Sequence, residues 1–112
     1  MIAYLKGRIA EISENNAVID VSGVGYLFFA STNTLAKIKI GENATILTEM
    51  IIREDSHTLY GFFDKKEQNM FRLLTTVQGV GPKVCIGILS SLNVSEINRA
   101  IARTSIIVAP EE

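Results

Sequence analysis

The chain has 112 residues, 47% hydrophobic content and a formal net charge of −1. That length suits one modest domain or two very small ones, with roughly two-thirds of the unfolded surface buried on folding. The apolar content and the two prolines exclude disorder, and no run of about 18 apolar residues is present to form a membrane-crossing helix. Lys6, Arg8 and Glu11 fall where a signal peptide needs its apolar stretch, so a cytoplasmic chain is expected. With one cysteine, Cys85, and one histidine, His57, an internal disulfide and the usual Cys/His zinc site are excluded, and no cofactor is expected. Cys85, within the apolar run VCIGIL, is expected in the core, and His57 on a strand surface.

The charge is unevenly spread. Residues 1–60 carry a balance of −2 and residues 61–110 one of +3, before Glu111 and Glu112. An acidic half joined to a mildly basic half could meet an anion with its second half only.

Taken in order, AYLKGRIAEI, AVIDVSG and GYLFFAS read as strands, being rich in β-branched and aromatic residues. SENN (13–16) and SGVG (22–25) supply the turns between them. Leu35, Ile38 and Ile40 continue the strand pattern up to the GEN turn at 41–43. A strand of about seven residues follows, then the charged break REDSH at 53–57, then TLYGFF as a short strand. Five or six short strands at this spacing suggest a small closed barrel of the oligonucleotide/oligosaccharide-binding (OB) type, over residues 1–63. Met50 fits a core position.

At Asp64 the period changes from two to that of a helix. DKKEQNMFRLLTTV places Met70, Phe71, Leu74 and Val77 on one face, with Lys65, Lys66, Glu67 and Arg72 turned away. Asp64 is a good N-cap, and Glu67 has the spacing of a capping box. The helix is expected to stop at Gly79, and Pro82 suits the first turn of a second helix through VCIGILSSL. A third helix, NVSEINRAIART, would have Ser95 as N-cap and Ile97, Ala100 and Ile101 inward. The fold class expected is therefore α+β: a barrel followed by three short helices over residues 64–104.

The stretch VQGVGPKVCIGIL (77–89) invites a chemical question. A P-loop needs G-x-x-x-x-G-K-[ST] after a strand, and a dinucleotide fingerprint needs a third glycine where Val84 stands. The preceding segment is helical, so both nucleotide readings fail. What remains is a corner between helices. Its glycines could expose backbone N–H groups, the helix starting at Pro82 would add its positive end, and Lys83 a mobile charge. Such a corner can hold a phosphodiester backbone without reading bases. It can equally be a tight αα turn with no ligand, and the residues leave both readings open. Glu54 and Asp55 likewise read as a solvated hairpin tip, or as a carboxylate pair for Mg²⁺ that lacks a third ligand.

Val77-Gln78-Gly79-Val80-Gly81 has the form of a helix–hairpin–helix motif, hydrophobic-x-Gly-hydrophobic-Gly. Over residues 1–104 the chain resembles the RuvA family, the DNA-binding subunits of the bacterial branch-migration complex. The similarity lies in MIAYLKGRI, VSGVGYLFFAS, IIREDSHTLYGFF and FRLLTTVQGVGPKVCIGILSSL. The resemblance implies an OB barrel, a helical region and a homotetramer that holds an open four-way (Holliday) junction in recombination and repair. It implies no catalysis by the chain itself, since the family's ATPase is its partner RuvB. By the same resemblance Gly79, Val80, Gly81 and Lys83 would grip phosphates of a duplex arm. Glu54 and Asp55 would match the family's acidic pin at the crossover.

The family pattern continues with a second glycine hairpin and a C-terminal domain that meets RuvB. Here AIART leads into SIIVAPEE, so the helical domain is expected to be incomplete and 105–112 to be a tail outside the family pattern. With one hairpin the grip would be weakened. Besides weak junction binding, an oligomerisation module that has lost DNA binding and, more remotely, a metal-dependent nuclease are the alternatives.

Overall fold

The computed structural model describes residues 1–92 and 94–104, with only the backbone of 100–104. The expected tail at 105–112 lies outside the described residues. Five strands come first: β1 (Tyr4–Ile12), β2 (Asn16–Val21), β3 (Val24–Phe29), β4 (Asn43–Arg53) and β5 (Ser56–Phe62). A short helix, α1 (Thr32–Leu35), lies between β3 and β4, and three helices follow: α2 (Lys65–Thr75), α3 (Pro82–Ser91) and α4 (Val94–Thr104). The strands close into a barrel in the order β1-β2-β3-β5-β4, the OB-type fold expected. β1 serves two neighbours, pairing with β4 through Tyr4–Arg8 and with β2 through Arg8–Ile12. It changes partner around a bulge between Ile9 and Glu11, which bends the strand enough to close the ring. β3 and β5 complete the barrel in parallel, Phe29 opposite Tyr60.

Alternation along β5 divides the molecule's two cores. Gly61 faces into the barrel, where Leu5, Ile9, Ala17, Ile19, Phe28 and Ile46 are buried together. A Cβ at Gly61 would lie 2.3 Å from Phe28 Cδ1 and 2.7 Å from Ile46 Cγ2, so the strand passes over this core only as glycine. Tyr60 and Phe62 face the other way and pack with Met70, Phe71, Leu74, Cys85, Leu89 and Ile97 of the helices. The Phe71 ring lies 5.0 Å from that of Phe62 and 5.4 Å from that of Tyr60, centroid to centroid. Cys85 is fully buried here, and desolvation pushes its thiol up to about 11. Such a thiol is an inert packing group.

Five expectations need correction. Leu35 and Ile38 are buried, but on α1 and the loop after it rather than on a strand, and Ile40 is 62% exposed. The cause is local capping: Ser31 Oγ accepts the Thr34 N–H at 3.2 Å, which starts a helical turn where alternation suggested extension. β4 has 11 residues instead of about seven. Its ladder with β5 runs unbroken from Leu47↔Phe62 to Arg53↔Ser56, so the polar break shrinks to Glu54 and Asp55. Ser95 lies inside α4, which starts at Val94; the position before it, like the side chains of Ala100 and Ile101, is outside the described residues. The fourth correction is Glu67, which is buried rather than turned to solvent. Met70, Phe71 and Leu74 are buried as expected, but α2 ends at Thr75 instead of running to Gly79, which is the fifth correction, and Val77 lies half-buried beyond it. Met50 is half-buried and His57 exposed.

Candidate nucleic-acid interface

The helical hairpin is built from α2, the turn 76–81 and α3. Asp64 caps α2, its Oδ1 accepting the Glu67 N–H at 2.8 Å, while Oδ2 meets Lys37 Nζ at 2.9 Å. Burial alone would raise this carboxyl, but the Glu67 N–H and the Lys37 ammonium outweigh it and hold Asp64 below the usual carboxylate range. The capping box is one-sided, because the Glu67 side chain is engaged elsewhere. After α2 the chain turns at Gly79, whose φ of 87° is the left-handed region that glycine tolerates. Val80 bonds back through its N–H to Val77 O at 3.1 Å and packs on the helical core. Gly81 is the N-cap of α3 with φ −85° and ψ 172°, and it provides no side-chain cap. Pro82 occupies the first turn, so the N–H groups of Lys83 and Val84 have no intrahelical acceptor.

Among the described residues nothing requires a glycine at position 81. Its φ is ordinary, and a Cβ there would meet no atom within 4 Å.

Lys83 is exposed and Val84 is 54% exposed beside it. Gly81, Pro82, Lys83 and Val84 form one wall of a groove of about 470 Å³, and Ile51, Arg53, Ser56, Thr58 and Tyr60 form the other. The structure thus brings α3's positive end to the base of the β4–β5 hairpin, whose tip is Glu54 and Asp55. Both carboxylates are exposed. Gly79 and Val80 do not line the groove. Arg53, hidden in the sequence within the charged break, adds a second cation across from Lys83. Arg53 also lies near enough to Tyr60 to act on its phenol. Desolvation raises that hydroxyl, the Arg53 charge opposes the rise and Cys85 adds to it. No signal in the sequence links positions 53 and 83; only the packing of α3 on the barrel does.

The arrangement offers N–H donors, two mobile cations and hydroxyls at Ser56 and Thr58, which is the chemistry of phosphate contact without base readout. Among the described residues no group of three or more His, Cys, Asp or Glu is placed to hold a metal ion, and no helix is long and apolar enough to cross a membrane.

A model of the RuvA N-terminal domain family matches residues 1–61. The chain belongs to that family. Its curated relatives are named Holliday junction branch migration complex subunit RuvA. That of Sinorhizobium medicae is 48% identical over 98% of this chain and 56% of its own. That of Brucella anthropi is 50% identical over 91% of this chain and 50% of its own. That of Renibacterium salmoninarum is 45% identical over 89% and 47%. The chain spans about half the length of the curated RuvA relatives it matches. The alignments extend past the barrel, so likeness to RuvA proteins includes the hairpin and not the OB domain alone.

Proposed function

We propose that this chain is a non-catalytic, structure-selective DNA-binding piece of a RuvA-type subunit, which holds four-way junctions without reading sequence. The observation that carries the reading is Gly81, a glycine with no internal need for its size, set beside Lys83 and facing Arg53. In this reading the backbone at Gly79, Val80 and Gly81, with Lys83, grips the phosphates of one duplex arm, and Arg53 adds a contact from the barrel side. Glu54 and Asp55 project at the hairpin tip, where their charge would repel phosphates and keep strands apart at the crossover. Four copies would give the symmetry of the junction; the exposed Tyr4, Leu27 and Ile52 of the barrel are apolar surface that self-assembly would cover. The relatives' name, a branch migration complex subunit, supports a motor partner of the RuvB kind for the longer proteins. Each hairpin grips only a few phosphates, so affinity for a junction would rest on assembly.

The test is a gel-shift comparison of a four-way junction and a linear duplex of equal length across a salt series. Junction preference is expected, with binding that weakens as salt rises. Lys83→Ala should weaken both substrates and lower the logarithmic salt slope by about one for each phosphate that is no longer neutralised. Equal affinity for junction and duplex, or no junction binding at low salt, would overturn the reading and leave the oligomerisation module in its place.

A further inference from the structure

The buried polar side chains among the described residues, Ser31, Thr34, Thr48, Glu67 and Gln68, all lie where the barrel meets the helices. Glu67 is 6% exposed. Its Oε2 accepts the Ser31 hydroxyl at 2.7 Å and its Oε1 the Thr34 hydroxyl at 2.5 Å. The ion pairs Lys37–Asp64 and Arg72–Glu49 do not include it. A carboxylate buried on two neutral hydroxyls is a poor way to gain stability, because its desolvation is repaid only in part. It is a good way to gain direction, since both bonds have narrow geometry and strengthen in a dry site.

The same tetrapeptide, residues 31–34, also holds α3. The Thr32 N–H bonds Ser90 Oγ at 3.1 Å, the Thr32 hydroxyl bonds Ser90 O at 3.2 Å, and the Asn33 amide bonds Leu89 O at 2.7 Å. One barrel segment therefore fixes α2 near its start and α3 near its end. The opposite end of α3 is the one bearing Gly81 and Lys83. A ten-residue helix is roughly 15 Å long, so a 10° swing about its C-terminal end would move that site by ~2.6 Å. Such a displacement exceeds the spread of hydrogen-bond lengths several times over.

We infer that Glu67, held by Ser31 and Thr34, is a positioning residue that sets the angle between the glycine hairpin and the barrel, and through it the preference for an open four-way junction over linear duplex. The inference rests on the proposed function. Linear duplex asks chiefly for the hairpin's own grip, with Arg53 as one added contact. A junction asks several hairpins and acidic tips to fit one geometry at once, so error in the angle is felt there first.

The experiment compares Glu67→Ala and the near-isosteric Glu67→Gln with the parent chain, in two measurements. Residual dipolar couplings of backbone amides report whether barrel and helices share one alignment, and gel shifts report the junction-to-duplex affinity ratio. Glu67→Ala is expected to lose the shared alignment and to lower the ratio about tenfold while duplex affinity stays within about twofold. Glu67→Gln keeps one acceptor oxygen and should recover most of both. Thr34→Val, which deletes one hydroxyl, serves as the second probe if Glu67→Ala fails to fold. Unchanged alignment in these variants, or a changed angle with an unchanged ratio, overturns the inference. A parent chain without junction preference would instead overturn the proposed function, and the couplings would still decide whether Glu67 sets the angle.

Discussion

The interior of the barrel and the junction between barrel and helices are built on opposite principles. The first is apolar: Leu5, Ile9, Ala17, Ile19, Phe28 and Ile46 pack around a strand crossing that admits only glycine at position 61. The second mixes aromatic packing of Tyr60, Phe62 and Phe71 with a buried carboxylate, three hydroxyls and a glutamine amide. On α2, neighbouring residues reach to different partners. Glu67 bonds the segment after β3, while Gln68 bonds Thr48 O and Glu49 on β4, where Arg72 joins it. The contrast separates two tasks. Apolar packing supplies most of the stability and tolerates small rotations, whereas directional polar contacts fix one orientation at little net gain.

The largest effect should come from the apolar side. Phe28→Ala removes a fully buried ring from the barrel and should cost about 3–5 kcal/mol in denaturant-induced unfolding. An effect below that of an ordinary surface substitution would contradict the assignment of stability to this core.

Replacing the polar cluster as a unit should do less to stability. The triple variant Ser31→Ala, Thr34→Val, Glu67→Met exchanges the bonded set for apolar groups but also removes the acceptors of the Thr34 and Phe63 N–H groups, so it should cost about 1–3 kcal/mol, less than Phe28→Ala. A destabilisation larger than that of Phe28→Ala would mean that the cluster stabilises as the core does, and the distinction between the two regions would fail.

The smallest effect concerns acid. Asp64's carboxyl is held below its usual range in the folded chain, so the unfolded chain binds its proton more readily. Its contribution is present above the ordinary carboxylate range and is lost as pH falls through the folded value. Asp64→Asn should therefore lower stability slightly at neutral pH and leave the acid end little changed, so that the stability-against-pH curve flattens. A parent curve without any decline toward acid would speak against this cap.

Most of the architecture was legible in the residues. Period-two runs of β-branched and aromatic residues marked β1, β2 and β3, and the switch at Asp64 marked α2 because its apolar face recurs at helical spacing. The hairpin was legible too, since Gly79, Gly81 and Pro82 each have a local meaning. The features that escaped are those decided by distant partners. Four residues, TNTL, carry no periodicity, so α1 could not be told from a strand end. Glu67 was assigned outward because charge usually is, and only Ser31 and Thr34, 36 and 33 positions earlier, make its burial tolerable. Arg53 escaped for a similar reason: its place opposite Lys83 is created by α3 lying on the barrel.

The most direct test of the account is the junction-to-duplex affinity ratio of the parent chain beside that of the triple variant, at matched salt and with both chains shown to be folded. The account predicts that the parent prefers the junction and that the folded variant loses the preference while still binding duplex. Equal ratios for the two chains would contradict it.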